Sequence, residues 1–123
     1  MRTVSYHLIL DLILSDERFL LDDNLLMNII KSSCIESGLK IVKEDFYEFN
    51  PHGLTGVFVL STSHVAFHTF PEHKLIYIDI FSCDRKRKVV EAGNRIIKYL
   101  KPKKYKMILF KRSKSEIVSQ NFK

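Results

Sequence analysis

The chain has 123 residues, a mass of 14.5 kDa, 46% hydrophobic and 28% charged residues, which suits one domain with a modest core and excludes a disordered or collagenous chain. No apolar run reaches the roughly 18 residues of a membrane span. The net charge of +6 hides a split, with 6 Lys/Arg against 12 Asp/Glu in residues 1–84 and 14 against 2 in residues 85–123; this reads as a solvated helix face and a charged tail ahead of a nucleic-acid surface.

Val4 to Leu14 predicts a strand, with Val4, Tyr6, Leu8, Leu10, Leu12 and Leu14 on one face and Ser5, His7, Ile9, Asp11 and Ile13 on the other. The N-terminus, Met1 to Leu14, is mildly apolar but holds His7 and Asp11 and lacks a basic start and a small-residue cleavage site, so no signal peptide is expected and a cytoplasmic protein is. Asp22, Asp23 and Asn24 form a cap cluster, Leu25, Leu26, Ile29 and Ile30 recur at helical spacing, and Gly38 is a stop signal; a helix is expected over 23–37. Leu39 to Phe49 reads as a strand, and Asn50-Pro51-His52-Gly53 as a turn. Val57 to Leu60 and Val65 to Phe70 are strands apolar on both faces, Pro71 to Lys74 is a turn, and Leu75 to Phe81 is a strand. Arg85 to Leu100 predicts an amphipathic helix with Val89, Val90, Gly93, Ile96, Ile97 and Leu100 inward, ended by Pro102. Tyr105 to Phe110 is a last strand, and residues 113–123 are expected to fray.

The order β-α-β-β-β-β-α-β predicts one α+β domain over 1–123: a two-layer sandwich of a mostly antiparallel sheet with two helices on one face. Val57, Phe58, Val59, Leu60, Val65, Ala66 and Phe67 lack polar alternation, so both sheet faces call for burial. One chain this short offers no third layer, and a homodimer pairing sheet to sheet is expected, with the active site near its interface.

The densest polar cluster in an apolar setting is Ser61-Thr62-Ser63-His64, followed by His68, Glu72 and Cys83. His64 and His68 four apart on a strand lie about 13 Å from one another, too far to share a metal, and no metal is expected. Ser63 lacks the Gly-x-Ser-x-Gly elbow of a hydrolase. Cys83 could be a thiol nucleophile, and Cys34 and Cys83 make no disulfide framework. A hydroxyl-rich strand with core histidines fits the same residues.

Gly53-Leu54-Thr55-Gly56-Val57, Ser63-His64, His68-Thr69-Phe70-Pro71-Glu72 and Asp79-Ile80-Phe81-Ser82-Cys83, with His7-Leu8, Asp11 and Phe49, resemble the prokaryotic S-adenosylmethionine decarboxylase family over roughly 4–112. The resemblance implies a proenzyme that cuts itself between Thr62 and Ser63 into chains 1–62 and 63–123. Ser63 attacks the preceding carbonyl to give an ester, and elimination and hydrolysis leave a pyruvoyl group that takes the substrate amine as a Schiff base and serves as electron sink. His68 matches the proton acceptor of processing, a task an imidazole suits near neutral pH. Cys83 matches the proton donor of catalysis, since free thiols are mostly protonated at pH 7. Thr55 stands where the family usually has a serine that supports processing. Phe49 and Phe70 match aromatics that sandwich the adenine and face the sulfonium, and Glu72 matches a ribose contact. S-adenosylmethionine is the implied substrate, with the decarboxylated product an aminopropyl donor for spermidine synthesis.

Two residues depart from the family pattern: Thr62 stands for glutamate before the serine, and Phe70 for tryptophan. Arginine or ornithine decarboxylases of the same family, and an unprocessed non-catalytic homologue, remain alternatives; nucleic acid is a distant one, and no membrane partner is expected. Ser63 and His68, five apart, point to opposite faces of a regular strand, so an irregularity between 61 and 66 is expected to let them meet. Cys34 reads as a buried helix residue and His64 as structural; His7, His52 and His73 carry no assigned role.

Overall fold

The computed structural model describes residues 3–118. Six strands form one sheet: β1 (Ser5–Ile13), β2 (Ile41–Glu48), β3 (Leu54–Leu60), β4 (Ser63–Phe70), β5 (Leu75–Ser82) and β6 (Lys104–Arg112). Their order across the sheet is β2-β3-β4-β5-β1-β6, and every neighbouring pair is antiparallel. The expected α+β sheet with helices on one face is what the chain forms. Among the described residues three α-helices occur rather than two: α1 (Arg18–Leu21), a single turn that the sequence pattern did not signal, α2 (Asp23–Glu36) and α3 (Lys86–Leu100). Part of the tail expected to fray, residues 119–123, lies outside the described residues; Lys114–Glu116 makes a 3-10 turn.

Local chemistry sets the helix ends. The Asp22 carboxylate accepts the Leu25 N–H at 3.0 Å, capping α2 and contributing about 1 kcal/mol. The helix stops two residues before Gly38, whose φ of +90° most side chains resist. Leu26, Ile30, Ser33 and Cys34 face inward on α2. On α3 the inward residues are Val89, Ala92, Gly93, Ile96 and Leu100; Ala92 joins the expected stripe, while Val90 and Ile97 are only half-buried. A Cβ at Gly93 would collide with the Leu8 side chain, so this glycine lets α3 lie directly on β1.

The core lies between the helices and one sheet face. Leu8, Leu10 and Leu12 of β1, Phe58 and Leu60 of β3, Val65 and Phe67 of β4, and Ile76, Ile78 and Ile80 of β5 are all buried there. The leucines of β1 alternate as the sequence pattern required. The hydroxyl of Thr69 on this buried face accepts the Leu54 N–H, which satisfies both groups.

The basic half resolves into paired and edge charges. On α3, Arg87 and Arg95 both reach Glu91, and Lys88 reaches Asp84. Lys104, Lys106, Lys111 and Arg112 sit on β6, an edge strand, where lysines discourage edge-to-edge pairing. No helix among the described residues is long and apolar enough to cross a membrane.

Cys34 is fully buried, and burial alone pushes its thiol up to about 12. In the native protein Cys34 is expected to stay unreactive toward Ellman's reagent at pH 8, and to titrate only after unfolding in guanidinium. Rapid native modification of Cys34, located by peptide mapping, would contradict this packing.

Candidate active site

The sheet face opposite the helices is open, and the side chains on it form two clusters at opposite ends of β4. The first surrounds the turn Ser61-Thr62 between β3 and β4. Leu60 and Ser63 are paired across that turn, and Ser63 is also paired with Ser82. Ser63 has a φ of +148°, a region most residues other than glycine avoid at about 1–3 kcal/mol.

The peptide before Ser63 is gripped on both sides. The Cys83 N–H donates to the Thr62 carbonyl at 3.0 Å. The Thr62 hydroxyl lies 2.8 Å from that of Ser82, which is buried and accepts the Asp84 N–H at 3.0 Å. Burial raises the Asp84 carboxyl, but the Arg85 N–H at 2.7 Å and the Lys88 ammonium at 3.0 Å outweigh it and hold Asp84 below its ordinary value. Cys83 is free and half-buried beside this grip.

Across the open face from the turn lie His64, Phe81 and His7, paired in one row of β4, β5 and β1. Asp79, two residues along β5 from Phe81, reaches both imidazoles: His7 Nε2 donates to its Oδ2 at 2.9 Å, and His64 Nε2 lies 3.9 Å from the same oxygen. The Arg112 guanidinium lies 4.7 Å from the Phe81 ring centre.

The second cluster lies beside the Phe49–Gly53 loop and the 3-10 turn Pro71–His73. The Thr55 hydroxyl is hydrogen-bonded to His68 Nδ1. An unbroken run of rings surrounds that pair: Tyr47 to Phe49 at 4.9 Å, Phe49 to His68 at 5.4 Å, His68 to Phe70 at 4.4 Å and Phe70 to Tyr77 at 5.1 Å. Phe49 and Phe70 thus both pack edge-on against the His68 ring. Glu72 is exposed on the 3-10 turn, with His52 Nε2 at 3.5 Å.

The residues singled out from the sequence therefore fall into two groups. Thr62, Ser63 and Cys83 converge at one end, and Phe49, Thr55, His68, Phe70 and Glu72 gather at the other. The expected irregularity is real at Ser63, but it does not bring Ser63 to His68. β4 pairs without a shift with β3 from Ser63 to His68 and with β5 from Ser63 to Phe70, and the register shift among the described residues lies in β2 between Ile41 and Lys43. Five residues of extended strand separate the two by about 16 Å. His7, Asp79 and Ser82 were given no role from the sequence. The alternation in β1 placed His7 on the second face, but only the β1–β5 and β4–β5 registers bring it to Asp79. No group of three or more His, Cys, Asp or Glu among the described residues is placed to hold a metal ion.

The chain is similar in sequence and in fold to known proteins. A family model described as S-adenosylmethionine decarboxylase matches residues 6–113. The S-adenosylmethionine decarboxylase proenzyme of Hydrogenobaculum sp. (strain Y04AAS1) is 35% identical over 101 residues, covering 82% of this chain and 75% of that protein. The protein of the same name from Archaeoglobus fulgidus is 32% identical over 103 residues, covering 84% of this chain and 92% of its own. The solved adenosylmethionine decarboxylase of Aquifex aeolicus VF5 superposes with a TM-score of 0.83 at 28% identity, over 100% of this chain and 99% of that one. With nearly its whole length matched and its fold in common, the chain belongs to the S-adenosylmethionine decarboxylase family.

Proposed function

We propose that this chain is a pyruvoyl-dependent S-adenosylmethionine decarboxylase, made as a proenzyme that cuts its own Thr62–Ser63 bond into chains 1–62 and 63–123. The observation that carries this reading is the grip on that one peptide. Ser63, the residue after the bond, is held at a positive φ, while the carbonyl before it accepts the Cys83 N–H. A hydroxyl next to a polarised carbonyl at a strained turn is the geometry an N-to-O acyl shift requires. The same residues suit a pyruvoyl group at position 63, because the Cys83 thiol, half-buried at that end of the sheet, is at hand as a proton donor.

The pyruvoyl group supplies an electron sink for loss of carbon dioxide from the substrate. The rest falls to the chain's own side chains. Cys83 delivers the proton that replaces the carboxylate. Phe49 and Phe70 offer two ring faces for an adenine, and their π electrons attract a sulfonium. With the His68 Nδ1–H donating to the Thr55 hydroxyl oxygen, Nε2 is the nitrogen left to take a proton during processing. Glu72 offers a carboxylate to a ribose or to a cationic ligand. The decarboxylated product would serve as an aminopropyl donor for spermidine synthesis.

A single chain leaves these parts about 16 Å apart, and we infer that a second copy joins them. The open face supports this: Tyr47, Val59, Tyr77 and Phe110 are exposed on it, with Ile9, Val57, Ala66, Phe70 and Phe81 half-buried between them. Apolar side chains gathered on one sheet face in this way mark an interaction surface. Two such faces stacked about a two-fold axis would set Ser63 and Cys83 of one copy against His68, Phe49 and Phe70 of the other.

Intact mass of the purified protein tests the reading. Two fragments meeting at Thr62 and Ser63 are expected, the second blocked to sequencing and reactive toward hydrazines. Carbon dioxide released from carboxyl-labelled S-adenosylmethionine, and not from arginine or ornithine, would identify the substrate. A protein that stays at 14.5 kDa through long incubation, with no hydrazine-reactive carbonyl, would overturn the pyruvoyl reading and favour a non-catalytic homologue. A sharp monomer in sedimentation at micromolar concentration would overturn the paired sheets.

A further inference from the structure

We propose that His64 is the base that starts self-cleavage, taking the proton from the Ser63 hydroxyl, with Asp79 orienting its ring. The inference rests on the pyruvoyl reading and assigns the first chemical step, distinct from the later one left to His68. Within the chain, His64 has its Nδ1 3.4 Å from Ser63 Oγ. His68, five residues along a regular strand, is about 16 Å from Ser63 and holds its own Nδ1 against Thr55.

In the proposed step His64 carries its ring proton on Nε2, the side that faces the Asp79 carboxylate 3.9 Å away, which leaves Nδ1 as the acceptor. The Ser63 hydroxyl then donates to Nδ1. Asp79 is itself fixed by the 2.9 Å bond from His7, so His7 and Asp79, on the two strands next to β4 on one side, back the His64 ring. Neighbours on one strand normally point to opposite faces. The positive φ of Ser63 accounts for the exception, turning its hydroxyl toward the imidazole of the next residue. The bond is long for a ground-state hydrogen bond, as resting catalytic contacts often are.

The step balances within the chain. As Ser63 Oγ bonds to the Thr62 carbonyl carbon, its proton passes to His64 Nδ1. The charge that develops on the Thr62 oxygen is met by the Cys83 N–H, already 3.0 Å away. When the carbon–nitrogen bond breaks, His64 returns the proton to the leaving Ser63 nitrogen. One amide and one hydroxyl become one ester and one amine, with no net proton or electron exchanged. The later removal of the Ser63 α-proton stays with His68 of a second copy.

The two histidines are separable by where their variants stop. His64→Gln and His64→Gly are expected to remain as the full-length amide, insensitive to hydroxylamine, with cleavage slowed at least about 100-fold, the range of a lost general base. Imidazole added to His64→Gly is expected to restore part of the rate. Asp79→Asn is expected to slow cleavage by a smaller factor. His68→Ala is expected to accumulate a species that hydroxylamine cuts after Thr62. The His64 side chain is 42% exposed, so the glutamine variant keeps the fold, as circular dichroism will check, and it carries the test if the glycine variant does not. His64→Gln cleaving at the wild-type rate, or stopping as a hydroxylamine-sensitive ester, overturns the assignment while leaving the pyruvoyl reading intact. Failure of the wild-type chain to cleave overturns the pyruvoyl reading instead.

Discussion

Co-expressed Ser63→Ala and His68→Ala chains are expected to cleave where neither does alone. On the proposed reading, Ser63→Ala removes the hydroxyl that becomes the ester, and His68→Ala removes the acceptor for the later proton. If each site draws Ser63 from one chain and His68 from another, a mixed dimer contains one intact combination and one doubly defective one. Random pairing of equal amounts makes about half of all dimers mixed. About half of the His68→Ala chains should then be cut after Thr62, and none of the Ser63→Ala chains. Mass spectrometry distinguishes the two by their substituted residues. Mixed dimers that form and stay uncut would place the whole site within one chain, against the separation of about 16 Å along β4.

Phe58→Ala is expected to be the most damaging core substitution. Phe58 is fully buried under the helices, edge-on to Phe46 at 5.6 Å and stacked on Phe67 at 6.0 Å. Removing a packed phenylalanine ring costs about 3–5 kcal/mol, the sum of lost burial and the cavity left behind. Total stability of small domains is about 5–15 kcal/mol. The next residue provides the contrast. Val59 points to the open face and is 38% exposed, so Val59→Ala should cost a chain much less and weaken association of two chains instead. Urea denaturation at several protein concentrations separates the two effects, since only stability linked to assembly depends on concentration. A loss below about 1 kcal/mol at Phe58 would contradict its place in the core.

Several elements follow from local pattern because a local rule controls them. Leucine at every second position of β1 defines a strand and its buried face, and no distant residue alters that. Asp22 and Gly38 bracket α2 because caps act through backbone groups a few residues away. The ordered motifs around Thr55, Ser63, His68 and Cys83 likewise pointed to the family, since each is a short run of neighbours. The extra turn α1 went unread because four residues hold too little periodicity to register.

What the chain's pairing decided is which of those motifs touch. Ser63 and His68 are five residues apart in the sequence and read as partners, yet a strand carries them about 16 Å from each other. His7 and Asp79 are far apart in the sequence and read as unrelated, yet the β1–β5 register sets them in contact. Ser82 stands in a motif that carries the family resemblance but has no role assigned from the sequence, and its contact with Thr62 arises because β5 lies beside β4. The physical reason is that side-chain identity and spacing act along the chain, whereas register and face are chosen by the burial of the whole sheet beneath its helices.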